Sequence, residues 1–235
     1  MGRSVELLDV ENLVELPLPC GRCVQWLMDP VEAVLPGSDP CGHTAAAQER
    51  KADWVRDVTR EWGPPGVVLR EDGVVVGHLG YAPPAHVERA AAFPTAPISR
   101  DAVLLLGTVA PEAPQARRLI QGAAADLVRR RVPAIEAFGG PDGVPGCRTQ
   151  PGEHLDAACR LPTHWLEELG FRVVRTHQTT PRLRLDLSTA LRLHQRVLLG
   201  VLGQVRRKVR VVEPAPAPGL GSRLGTVVDQ PPRKR

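Results

Sequence analysis

The sequence predicts an α/β chain of the α+β kind, with strands and helices interleaved in one domain. Three observations predict it. Val67–Arg70 and Val74–Tyr81 are β-branched runs joined by Glu71-Asp72-Gly73, and an Asp-Gly pair between two such runs marks a hairpin. Ala102–Val109 is a continuous apolar run, the mark of a strand buried on both faces. Pro114–Arg131 follows with Leu119, Ile120, Ala123, Ala124, Leu127 and Val128 in one helical stripe.

The remaining elements follow in chain order. Val5–Leu18 alternates loosely and reads as a strand, and Gly21–Leu27 reads as a second short strand with Cys20 and Cys23 at its mouth. From Thr44 to Trp62 the spacing of Trp54, Val55, Val58 and Trp62 is helical, and Gly63-Pro64-Pro65-Gly66 stops it. The proline-bearing stretch 82–99 is too broken for a central strand. Pro133–Phe138 is a strand, and a Gly- and Pro-rich loop runs on to Pro151. Pro162–Leu169 is a short helix closed by Gly170, and Phe171–Arg175 and Arg182–Leu187 are two further strands. Ser188 caps a last helix carrying six basic residues and no acidic one, and a Pro-rich basic tail follows. The expected organisation is a domain over residues 1–187, a basic amphipathic helix over 188–212 and a disordered tail over 213–235.

With 235 residues the chain is long enough to bury a real core, which excludes a disulfide-stapled miniprotein. No run approaches the ~18 consecutive apolar residues of a membrane span. Glu6, Asp9, Glu11 and Glu15 interrupt the start where a secretory signal would need an apolar stretch, so a cytoplasmic protein is expected. Five cysteines in such a compartment stay reduced. Only Lys51, Lys208 and Lys234 among 30 basic residues are lysine, which with abundant Ala, Val, Gly and Pro reflects GC-rich coding more than function. Charge is divided unevenly: residues 1–100 hold 9 basic and 14 acidic side chains, and residues 101–235 hold 21 and 12. A basic second half suits an anionic ligand, either a phosphorylated cofactor or nucleic acid.

Val109-Ala110-Pro111-Glu112 closes the buried strand, Arg117-Arg118-Leu119-Ile120 opens the helix, and Trp165-Leu166-Glu167-Glu168-Leu169-Gly170-Phe171 ends the short helix. In this order and spacing the motifs resemble the GNAT superfamily of acetyl-CoA-dependent N-acetyltransferases. Leu79-Gly80-Tyr81-Ala82-Pro83-Pro84, Ala91-Ala92-Phe93-Pro94 and Ile135-Glu136-Ala137-Phe138-Gly139 look like an actinobacterial branch of it. The resemblance covers residues 5–187 and implies a mixed, largely antiparallel central sheet flanked by helices, with acetyl transfer to a primary amine by direct attack on the thioester. It implies that the pantetheine arm lies along Gly107, Thr108, Val109 and Ala110 where strands part. It also implies that the pyrophosphate faces Gln115, Ala116, Arg117 and Arg118 at the helix start. Acyltransferases of this shape often pair through sheet edges or C-terminal elements, which extends to a homodimer here.

Two departures accompany the resemblance. The family's Gly-rich loop lets backbone amides wrap the diphosphate, whereas Ala113-Pro114-Gln115-Ala116 has no glycine and its proline lacks an N–H. The loop is thus degenerate, and a non-catalytic GNAT-fold binding or regulatory module is the alternative. The family's frequent tyrosine acid is replaced by Leu166, and the only tyrosine of the chain is Tyr81 on another strand.

For the chemistry itself, Glu136 on the strand after the helix is the candidate base, its ordinary reading being a salt-bridged strand glutamate. Cys159 and His164, flanking the start of the short helix, are candidates near the thioester. Cys20-x-x-Cys23 and Cys41-x-His43 have paired ligand-like spacings, but C-x-H departs from C-x-x-C, so no occupied metal site is expected. The last helix and the terminal Arg233-Lys234-Arg235 carry no interleaved aromatics, so nucleic acid is not the expected partner.

Overall fold

The computed structural model describes residues 2–16, 20–142 and 160–187, all within one compact unit over residues 1–195. The expected basic helix over 188–212, the tail over 213–235 and Cys159 lie outside the described residues. Seven strands form one sheet: β1 (Arg3–Leu7), β2 (Gly66–Glu71), β3 (Val74–Ala82), β4 (Ala102–Val109), β5 (Ala134–Phe138), β6 (Arg172–Arg175) and β7 (Arg182–Asp186). Their spatial order is β1-β2-β3-β4-β5-β7-β6. Every neighbouring pair is antiparallel except β4–β5. The fold is therefore a mixed α/β arrangement on a largely antiparallel sheet, with the apolar run 102–109 at its centre. Helices α1 (Val10–Leu13), α2 (Ala45–Glu61), α3 (Ala113–Arg129) and α4 (Thr163–Glu168) flank it.

The hairpin between β2 and β3 turns on Asp72 and Gly73, both at positive φ (50° and 85°), the backbone that a two-residue type I′ loop requires. Helix α3 buries Ala116, Leu119, Ile120, Ala123 and Leu127 against one face of the sheet, with Leu69, Leu79, Tyr81, Val103, Leu105 and Ile135 opposite them. Full burial of each leucine or isoleucine contributes about 1.5–3 kcal/mol. The other face packs Leu104, Leu106, Ala134 and Phe138 against Val58 of α2 and the loop residues Trp26, Met28 and Phe93. Trp26, Phe93 and Phe138 stack in series, with ring centroids 5.4 and 4.2 Å apart.

Helix α4 ends as its sequence predicts. Gly170, at φ 97°, lets its own N–H bond Glu167 O while the Phe171 N–H reaches back to Leu166 O.

Two expectations are corrected. The strand read over 5–18 stops at Leu7, because Asp9 begins a helix. Its carboxylate accepts from the N–H groups of Glu11 and Asn12 while Asn12 Oδ1 accepts from the Asp9 N–H. The segment 21–27 is a turn followed by a 3₁₀ turn at Gln25–Leu27, whose residues are buried without joining the sheet. Among the described residues no helix is long and apolar enough to cross a membrane.

Candidate functional site

Strands β4 and β5 run side by side for only three pairs: Ala102 with Ala134, Val103 with Ile135 and Leu104 with Glu136. Beyond Leu104, β4 keeps β3 on one side, through Leu105–Tyr81, Thr108–Leu79 and Val109–His78, but among the described residues has no strand on the other. Strand β5 turns instead to β7, to which all five of its residues pair. A V-shaped opening results, and Gly107, Thr108, Val109 and Ala110 line its β4 arm. Gly107 and Val109 are partly exposed, while Thr108 and Ala110 are buried.

The opening is bounded further on by α4, whose start is tied to the end of β5. Gly140 N–H bonds Leu161 O, and the Thr163 N–H and hydroxyl both donate to Gly140 O. Between the first turns of α3 and the exposed side of α4 lies a cavity of about 480 Å³, lined by Ala116, Arg117, Arg118, Gln121, Trp165 and Glu168 among others. Ala116, Arg117 and Arg118 from the sequence reading meet there. Gln115 stands beside them with a buried Oε1 that has no hydrogen-bond partner.

The helix start offers less than was expected. The N–H groups of Gln115 and Ala116 both bond Glu112 O at 3.1 Å, so neither is free. Pro114 has none to give, and no side chain caps this end. Two arginines supply positive charge there, and the backbone supplies little.

Glu136 does not face an open cleft. It is 0% exposed, its carboxylate lies 3.4 Å from Arg182 Nη1 and 3.4 Å from Arg184 Nη1, and it accepts from the Ser99 N–H. Arg184 in turn holds Asp101 and Asp186 at 2.8 Å, so Glu136 closes an ion cluster at the last β4–β5 pair. His164 is exposed on α4, with Nδ1 2.8 Å from Asp142. Neither residue lines the arginine cavity.

The Cys41-x-His43 segment is organised by Asp39, whose carboxylate takes the N–H groups of Gly42, His43 and Thr44 and the Thr44 hydroxyl. Among the described residues no three His, Cys, Asp or Glu side chains converge as metal ligands do.

One residue the sequence reading passed over stands out. His78, on β3, is 6% exposed and its Nδ1 is buried with no hydrogen-bond partner. Burial, with the nearby Lys51 charge, pulls its pKa down to about 3 against a weaker opposing pull from Cys23. The signal was a lone histidine inside the apolar strand Val74–Ala82.

No family model matches the chain, and no curated protein does. Solved structures similar to it include an N-acetyltransferase from Staphylococcus aureus Mu50 (11% identity, 80% of this chain and 99% of that one, TM-score 0.45). A second is the aminoglycoside acetyltransferase AAC(6')-Ib in complex with coenzyme A (12%, 83% and 99%, TM-score 0.48). A third is a ribosomal-protein-alanine N-acetyltransferase from Brucella melitensis (14%, 78% and 99%, TM-score 0.43).

Proposed function

We propose that the chain is a GNAT-type N-acetyltransferase that moves the acetyl group of acetyl-CoA to a primary amine of a small molecule or protein. One observation carries this reading: β4 parts from β5 after the Leu104–Glu136 pair, and the arginine-lined cavity lies beyond at the start of α3. A polypeptide-like pantetheine arm suits the unpaired edge at Gly107–Ala110, where it takes the hydrogen bonds a strand would have made. The diphosphate suits the cavity at Arg117 and Arg118. The amine then attacks the thioester carbonyl directly, and backbone N–H groups of the open edge face the oxyanion. The same reading assigns the protein to the cytoplasm and to the actinobacterial branch, and pairs two copies through a sheet edge. Strands β1 and β6 are exposed along their length.

Because α3 offers so few amides, the arginines carry an unusual share of cofactor binding. A charge-assisted hydrogen bond is worth roughly 1.5–3 kcal/mol. Calorimetry of the Arg117→Ala, Arg118→Ala double variant is therefore expected to show acetyl-CoA binding weakened by about a hundredfold or more. A double variant that binds like the parent would remove the diphosphate from this cavity.

The second reading, a non-catalytic GNAT-fold module, draws on the same helix start: no glycine stands between Glu112 and Arg117, and Pro114 takes an N–H away. A parent protein that leaves acetyl-CoA unbound at millimolar concentration decides for it.

A further inference from the structure

On the α2 face of the sheet a second, much smaller cavity of about 20 Å³ is enclosed by Cys20, Cys23, Lys51, Trp54, His78 and Gly107 among others. It admits one water molecule or one small polar group. Two features meet in it. His78 brings a buried imidazole whose Nδ1 lacks a hydrogen-bond partner, a condition rare enough in folded proteins to require an explanation. Gly107 brings the stretch of β4 that has β3 on one side and, among the described residues, no strand on the other.

We propose that His78 is the proton shuttle of acetyl transfer, taking a proton from the attacking nitrogen and delivering it to the departing sulfur through the one water its cavity admits. The inference rests on the acetyltransferase reading above. The nitrogen lone pair forms the new N–C bond, and the C–S bond breaks with its electron pair leaving on the coenzyme A sulfur. The proton on the acylated nitrogen passes to the imidazole and from there to the thiolate. The products are an amide and coenzyme A thiol, and the ring ends neutral as it began. Neutral imidazole is suited to this, since one ring nitrogen accepts while the other donates.

A protonated amide nitrogen is so strong an acid that a weak base suffices to take its proton, and the thiolate reclaims it readily. The titratable groups facing the ring are Lys51 from α2 and Cys20 and Cys23 from the loop after α1, and among the described residues no carboxylate lines this cavity. With no carboxylate there to hold an ammonium ion, the acceptor reacts in its uncharged form, and turnover rises with pH through the pKa of the acceptor. The shuttle fills the role left open by the loss of the family's tyrosine, because Leu166 is a core residue and Tyr81 is bonded to Asp126.

The test begins without any acceptor. Calorimetry establishes saturation with acetyl-CoA, and long-range ¹H–¹⁵N spectra then report the histidine rings, with His78 assigned by its absence in His78→Gln. A shift of the His78 ring nitrogens on saturation is expected. An unchanged His78 ring in a saturated complex overturns the proposal. Failure to bind acetyl-CoA at all is a different result, since it removes the acetyltransferase reading itself and the shuttle with it. With benzylamine as the acceptor, His78→Gln is expected to lower kcat about 10²- to 10⁴-fold while acetyl-CoA affinity stays within about twofold. A parallel loss of affinity would mark the ring as structural and also overturn the proposal. The spectra decide the matter whether or not benzylamine is turned over.

Discussion

Tyr81 shows how a single side chain can be committed to architecture. It is fully buried, and its hydroxyl donates to Asp126 at 2.8 Å. Asp126, 5% exposed, also takes Arg130, whose guanidinium lies 3.8 Å above the Trp62 ring and bonds Pro64 O. Burial and the Asp126 carboxylate push the tyrosine pKa far above its ordinary value, so the phenol stays protonated. Tyr81→Phe is expected to cost about 1–3 kcal/mol by urea unfolding, because the Asp126 carboxylate loses a buried charge-assisted hydrogen bond and keeps only Arg130 on that oxygen. His78 gives a pH-dependent counterpart. Its folded pKa of about 3 lies below the unfolded value of 6.5, so between those values the unfolded chain binds the extra proton. Its contribution is complete above pH 6.5 and is lost as pH falls, at up to about 1.4 kcal/mol per pH unit. The stability profile of His78→Gln should be flatter than the parent's from pH 6.5 down to 4. The commitment of Tyr81 was not legible in the sequence, since Tyr81 and Asp126 stand 45 positions apart and meet only across the packing of α3 on the sheet.

Among the elements, those with punctuation on both sides were readable. The Asp72-Gly73 turn, the start of α2 at Thr44 and the Gly170 end of α4 lie where the residues place them. Helix α1 was missed because its four residues, Val10–Leu13, are too few to show a helical period, and the alternation from Val5 ran through them. The decisive signal was the Asp9–Asn12 capping box rather than any apolar pattern. Asp9→Ala is expected to cost about 1 kcal/mol in chemical unfolding. The start of α3 was misjudged for a related reason. Its position was readable, but whether its first amides are engaged depends on the backbone of Glu112, which accepts two of them.

For the molecule as a whole, the order of elements was legible and the ion cluster around Glu136 was not. Its members come from β5, β7 and the loop before β4, and only the sheet order brings them together. Glu136→Ala leaves Arg182, only 14% exposed at its side chain, without its carboxylate. A cost of about 3–5 kcal/mol is expected in urea unfolding, because an uncompensated charge stays buried. Loss of turnover with full stability would instead return Glu136 to the role of base.

The parting of β4 from β5 also bears on solubility. An open sheet ordinarily has two edges, and here both rim strands carry charge: Arg3 and Glu6 on β1, Arg172 and Arg175 on β6. Among the described residues the opening makes a third edge in the middle of the sheet, along a strand, Ala102–Val109, that contains neither charge nor proline. It is the kind of segment that recruits other chains when laid bare, and its position inside the molecule shields it. A variant that loosens the three-pair seam, Glu136→Ala above all, is therefore expected to scatter light and bind thioflavin T well below its unfolding midpoint. A lysine placed on β4 should suppress that self-association even where it lowers stability.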